Sequence, residues 1–346
     1  MTTAELPKGH SHVAPDARSL VGDAAWLPHR LIDGDRSLRF VNAPRDVHRR
    51  VTFLSDDYLD AALPRVEASV EDLKGALAPH DTSVHFIFHS AFARSTLLAR
   101  AMDLPGQAMG LKEPIILNDA AQLLREHRLN LDTLELVLGL LERPFTRPES
   151  IIIKPSNVAN LLMDQLLRLR PNARAILLFR DLPSYLQSIA RKGLFGRIWA
   201  RRLLHTIRAE APFNTGFSDA DLFAQSDLQT AALAWLIQHA QFARLASAMP
   251  NRVRLINASR LKADRHRTFA ATVDWFGLGL DETVVDTIVN GPAFTEDSKR
   301  IGQRFDGGSH GEDVPIDTKE IDMVMDWATA VAKHVGLPLH FGVHLP

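Results

Sequence analysis

From Ser83 onward the chain alternates short unbroken apolar runs with longer stretches in which apolar residues recur every three or four positions. The runs Val84–His89, Ala108–Leu111, Ile151–Lys154, Ala173–Phe179 and Val253–Ile256 read as strands buried on both faces. The stretches Ser95–Met102, Asp119–His127, Leu131–Arg143, Asn157–Arg170, Pro183–Arg191, Leu228–Met249, Arg265–Phe276 and Thr318–Val335 read as helices. Their alternation predicts an α/β protein, a three-layer αβα arrangement around a parallel sheet of roughly five strands. Asn157 is placed to cap a helix, Pro183 suits a first helical position and Gly277 a helix end. Residues 1–80 follow neither pattern for long. There Arg39–Val41 predicts a short strand and Asp56–Leu77 has roughly helical spacing, so 1–80 is expected to be an extension packed on a domain spanning 81–346.

Composition narrows the function. With 46% hydrophobic and 23% charged residues, 346 residues can build a sizeable core, and disorder is excluded as the main state. Lys and Arg total 40 against 41 Asp and Glu, a formal charge of -1, so no global field draws the protein to nucleic acid or an anionic membrane. Any anion must be held by a local site. The absence of cysteine excludes disulfides, zinc fingers and thiol catalysis. No apolar run reaches the ~18 residues of a membrane span, and residues 1–23 lack a signal-peptide stretch, which makes cytoplasmic location the expectation.

In open parallel sheets ligands sit beyond the carboxyl ends of the strands, so the strand exits carry the chemistry. The first run leads through Ser90, Ala91, Phe92, Ala93, Arg94, Ser95 and Thr96 directly into a helix, an arrangement that offers unpaired backbone N–H groups and a helix N-terminus to an anion. A Walker loop requires glycine and lysine before the hydroxyl residue; Ala93 and Arg94 stand there instead. The second run ends in Lys112-Glu113-Pro114, aiming a carboxylate at the same crevice, and the third in Lys154-Pro155-Ser156, aiming a cation. The fourth ends in Arg180, with Ser184 and Ser188 sharing one face of the next helix, a second candidate phosphate site. Each taken alone has an ordinary structural reading as a cap, a surface pair or a snorkelling lysine. It is their convergence that points to a ligand.

Together these exits resemble the sulfotransferase family, over about 84–276 and on to Asp297-Ser298-Lys299-Arg300. Phe88 to Leu98 sits where that family has its 5′-phosphosulfate loop, and Arg180 with Ser188 has its spacing for a nucleotide 3′-phosphate. Glu113-Pro114 is similar to the strand end that supplies a base in the Golgi-type branch, and Lys154 to its sulfonate-contacting lysine. The resemblance implies a P-loop-like nucleotide-binding fold. It further implies 3′-phosphoadenosine 5′-phosphosulfate (PAPS) as donor, PAP as product, no metal, and a small-molecule or glycan-like hydroxyl or amine as acceptor. Ser90 through Thr96, Arg180, Ser188, Lys299 and Arg300 would bind the nucleotide, Lys154 would steady developing charge and Glu113 would take the acceptor's proton. The chain departs from the pattern at Phe92, where the loop usually has Lys or Arg, and at Arg94, where it usually has glycine and φ > 0.

Two other classes stay open. A small-molecule kinase using ATP requires the missing Gly-Lys; a non-catalytic nucleotide-binding module is kept open by Phe92 and Arg94. His89 reads as structural. The basic, aromatic stretch Arg191–Arg202 reads as a solvated helix face, with an acidic or lipid-like acceptor as the alternative. Gly302–Asp313, glycine-bearing, reads as a loop or a lid.

Overall fold

The computed structural model describes residues 15–79, 81–297, 300–304, 316–341 and 345. Its central strands are β4 (Val84–His89), β5 (Ala108–Lys112), β6 (Ser150–Lys154), β7 (Ala175–Phe179) and β8 (Val253–Asn257), all parallel, in the order β5-β6-β4-β7-β8. Strands β1 (Trp26–Ile32), β2 (Ser37–Asn42) and β3 (Arg65–Ser69) precede them as a separate antiparallel sheet. After β4 the chain runs to the edge strand β5, returns to β6, then passes β4 to reach β7 and β8. Its direction of winding therefore reverses beside β4, and the carboxyl ends of β4, β6 and β7 at such a reversal are where open parallel sheets bind their ligands.

Alternation within each run explains why the runs read as unbroken. Phe86, Phe88, Leu111, Ile151, Ile153 and Leu177 face one core, which is continuous with Leu27, Leu38 and Phe40 of the antiparallel sheet. Ile87, Ile152, Ile176, Leu178 and Ile256 face the other, under Phe269, Val273 and Phe276. Both faces are covered, so the runs are apolar except where a polar side chain finds a partner, as His85 does stacked on Phe276.

The helices that position the site are α1 (Ser95–Ala101), α2 (Ile116–Arg125), α3 (Leu182–Arg191), α4 (Gly193–Ile207), α5 (Asp227–Ala248), α6 (Arg265–Phe276) and α7 (Thr318–His334). Gly277 closes α6 at φ +68. Pro183 lies in the first turn of α3 behind Asp181, whose carboxylate accepts from the Ser184 N–H at 3.0 Å.

The leading segment and one helix start differ from expectation. Asp56–Leu77 is not one helix: turns and bends run to Leu63, β3 follows, and a short helix spans Val70–Ala76 behind an N-cap at Ser69. Pro64 sits inside the periodic stretch, where it denies the helix a donor and holds Leu63 extended. Asn157 caps nothing. It opens a 3-10 turn, Asn157–Leu162, that leads into the helix Met163–Leu169, while Ser156 at the cap position donates its hydroxyl to Asn118 Oδ1 at 2.6 Å.

Residues 49–58 are fastened to the exit of β5. The buried Lys112 ammonium donates to the carbonyls of Arg49 at 3.2 Å and Val51 at 2.5 Å, Leu54 N–H donates to Lys112 O at 2.8 Å, and Ile115 N–H to Leu54 O at 3.1 Å. Arg30 of β1 holds Asp119 of α2 through Nε and Nη2 at 2.8 and 2.9 Å. The first sheet is thereby tied beside the exit that carries Glu113.

Candidate active site

The turn from β4 into α1 is tight. Arg94 has φ +60, the left-handed region expected where it replaces the loop's usual glycine, and Phe92 shares that region at φ +58. The first intrahelical bond of α1 runs from Leu98 N–H to Arg94 O at 3.3 Å, so the N–H groups of Ser95, Thr96 and Leu97 have no acceptor within the helix. They point toward the strand ends together with the positive end of the helix dipole. The side chains of Ser90, Ser95 and Thr96 are buried beside them. Gly110 of β5 fixes the seat of α1, since a Cβ there would lie 2.4 Å from the Ala99 carbonyl oxygen.

Arg180, at the exit of β7, joins this turn. Its N–H donates to Ser90 Oγ at 3.2 Å and its Nη1 to the Phe92 carbonyl at 3.3 Å, while Trp235 Nε1 of α5 donates to the Arg180 carbonyl at 2.8 Å. Among the described residues its guanidinium forms no ion pair. Burial pulls the Arg180 pKa below the usual arginine value, the nearby Arg94 and Arg191 charges pull the same way, and Asp181 opposes them. Burial also lowers Arg94. Two half-buried guanidinium groups beside the N–H groups at the start of α1 give this turn a positive character that suits an anion. Ser188 contributes less than its spacing predicts. Its hydroxyl donates back along the helix to the Ser184 carbonyl at 2.9 Å, which leaves it only as an acceptor.

The acid–base side is built from three strand exits. Glu113 leaves β5 at φ +53, with its N–H on the Lys154 carbonyl at 2.7 Å. Its Oε1 accepts from the ammonium of Lys154, which is completely buried and lies 5.0 Å from the centre of the Phe53 ring. Both ring nitrogens of His89 face carbonyl oxygens, Nδ1 at 3.0 Å from Ser90 and Nε2 at 3.1 Å from Pro155, with Glu113 Oε1 3.7 Å from Nε2. A neutral imidazole donates to one of those carbonyls and an imidazolium to both. Asn160 holds the backbone behind it, donating to His89 O at 3.1 Å. Tyr58 stands close enough for the Glu113 charge to raise its phenol pKa, after the larger effect of burial.

The structure thus gathers Ser90 through Thr96 with Arg180, and Glu113 with Lys154. Lys154 is spent on Glu113 beneath the crevice rather than projecting into it. Lys299 lies outside the described residues, as do residues 305–315, the larger part of the Gly302–Asp313 stretch; Arg300 begins a short strand that pairs with Asp297. His89, read from the sequence as structural, has a ring that bridges the exits of β4 and β6 through the Ser90 and Pro155 carbonyls. Phe53 and Tyr58 come from the leading segment. No spacing signal marks them, since the bonds of Lys112 and Leu54 bring them in.

No family model and no curated relative matches the chain. Among solved structures, the sulfotransferase domain from the curacin biosynthetic pathway matches with a TM-score of 0.44 and 13% identity over 76% of this chain and 100% of that one. Sulfotransferase STF9 from Mycobacterium avium matches with a TM-score of 0.44 and 11% identity over 78% and 81%. Retinol dehydratase, solved with androsterone and the inactive cofactor PAP, matches with a TM-score of 0.32 and 12% identity over 75% and 83%. Likeness at this level decides nothing about chemistry. That has to come from the site.

Proposed function

We propose that the protein is a sulfotransferase that takes a sulfuryl group from PAPS and passes it to a hydroxyl or amine. The observation that supports this most is the joining of the β4 and β7 exits, where Arg180 is hydrogen-bonded to both Ser90 and Phe92 of the loop. One cradle of N–H groups and a second, guanidinium-based position fit a nucleotide with phosphates at two places better than a nucleoside triphosphate, which would need the absent Gly-Lys.

PAPS, when bound, supplies the sulfuryl group and leaves as PAP. The N–H groups of Ser95 to Leu97, with the Ser95 and Thr96 hydroxyls and Arg94, hold the 5′ end and meet the charge that grows on the leaving phosphate oxygen. Arg180 holds the 3′-phosphate, and Ser188 can only accept there. Lys154 fixes Glu113 through Oε1, leaving Oε2 for the acceptor's proton. His89 keeps the two exits in register. Tyr58 and Phe53 stand on the acceptor's side of Glu113.

Turnover of PAPS on a panel of hydroxyl and amine acceptors tests this, with Glu113→Gln as the diagnostic variant. It keeps a partner for Lys154 and loses the base, so the product rate should fall by about 10²-fold or more while PAP still raises the melting temperature. Full activity in Glu113→Gln would remove Glu113 from the chemistry. Absence of any PAP effect on the wild type would remove the nucleotide.

A further inference from the structure

Helix α4 opens on Gly193-Leu194-Phe195-Gly196, and the two glycines set its attitude. Gly193 turns the chain at φ +52. A Cβ on Gly196 would lie 2.4 Å from the Ile189 carbonyl oxygen and 2.8 Å from Lys192 Cβ, so α3 and the start of α4 fold back on each other at backbone contact. The inner face of α4, Ala200, Leu203, Leu204 and Ile207, is buried in the cores it shares with α5, and Trp199 rests on Phe92 with ring centres 5.1 Å apart.

Among the described residues the outer face is exposed. Leu194 is 73% exposed, Phe195 71% and Ile198 42%, a concentration of protruding apolar side chains within one and a half turns. Helical spacing carries the stripe on to Arg201 and Arg202, and Arg191 stands at its start. Arg191 and Arg202 are exposed and form no ion pair among the described residues; Arg201 is shared with Asp227, and Arg197 is turned to Glu320 at 3.1 Å.

We propose that this face of α4 docks on an anionic lipid surface, with Leu194, Phe195 and Ile198 entering the interface and Arg191 and Arg202 meeting the headgroups. Apolar side chains that protrude between cations complement an apolar phase lying under a negative plane. A second copy laid on the same patch would set these arginines against their own image. Three side chains also fall far short of the ~800 Å² per partner of a stable protein interface. The near-zero net charge does not conflict, because the attraction acts within a Debye length, ~8–10 Å. The inference stands whether or not the chain transfers sulfuryl groups.

Flotation of the full chain with phosphatidylcholine vesicles, with and without phosphatidylglycerol, tests it. The protein should float with the anionic vesicles and less so as salt is raised. The double variant Leu194→Ser/Phe195→Ser should reduce partitioning roughly tenfold or more, and Arg191→Gln/Arg202→Gln should reduce it on anionic vesicles alone. These positions are exposed, so both variants should melt with the wild type. Failure to float on either vesicle, or undiminished flotation of the serine variant, overturns the proposal. So does a dimer that the serine substitutions dissolve, since the occupant would then be a second copy.

Discussion

Phe92, Arg94 and Glu113 share a backbone conformation that side chains with a Cβ avoid, at φ +58, +60 and +53. Each costs about 1–2 kcal/mol, and three of the five such non-glycine residues described in the molecule stand at these two strand exits. Strain concentrated in that way is a reason to place the proposed site at these exits. Arg94→Gly should therefore raise stability by about 1 kcal/mol, read in urea unfolding, while weakening PAP binding, read by titration calorimetry. A loss of stability would mean that the Arg94 side chain supports the fold more than its backbone strains it. Glu113 carries a second duty. Its removal leaves the fully buried Lys154 ammonium without this carboxylate, so Glu113→Ala should cost about 3–5 kcal/mol, and adding Lys154→Met should restore much of it. Glu113 and Lys154 stand out in the sequence because a proline follows each. That they pair, with His89 at their side, depends on β5, β6 and β4 lying next to one another, which no local pattern states.

At the level of elements, the five parallel strands were legible because each is covered on both faces, which forces an unbroken apolar run. Of the antiparallel sheet only Arg39–Val41, which lies inside β2, was legible. The pairing of β1 with β2 shifts register between Pro28 and Arg30, which breaks the two-residue period that would have revealed it, and Pro64 interrupts the approach to β3. Helix α4 was legible as a cationic helix face over Arg191–Arg202 but not in its start at Gly193 or its end at Ile207, because its glycine pair obscures a helical start. Glycine at Gly110 is required for a different reason, the contact of β5 with the backbone of α1. Gly110→Ala should push α1 off the sheet, costing about 1–3 kcal/mol in thermal unfolding and weakening anion binding at the turn α1 begins. Unchanged PAP affinity in that variant would separate the seat of α1 from the cradle.

Across the whole molecule, three histidines are buried among aromatic rings: His48 against Phe145, His85 stacked on Phe276, and His239 between Trp235 and Phe341. Burial, the leading cause in each, pulls their pKa values down to about 3, 4 and 4. The unfolded chain takes up these protons near pH 6.5 and the folded one does not, so the stability they contribute is present above pH 6.5 and is lost as pH falls toward 4. Each contributes about 1.4 kcal/mol per pH unit within that window. Urea midpoints should therefore fall steadily from pH 7 to pH 5. A flat profile would show that these rings are not held neutral in the fold.

The convergence of distant strand exits on one ligand is tested most directly by titrating PAP and AMP, which lacks the 3′-phosphate, into the wild type and Arg180→Ala. Convergence requires the wild type to bind PAP about ten- to a hundredfold more tightly than AMP, and Arg180→Ala to remove that difference. Equal affinities for the two nucleotides in the wild type, or a preference for PAP that survives Arg180→Ala, would contradict it.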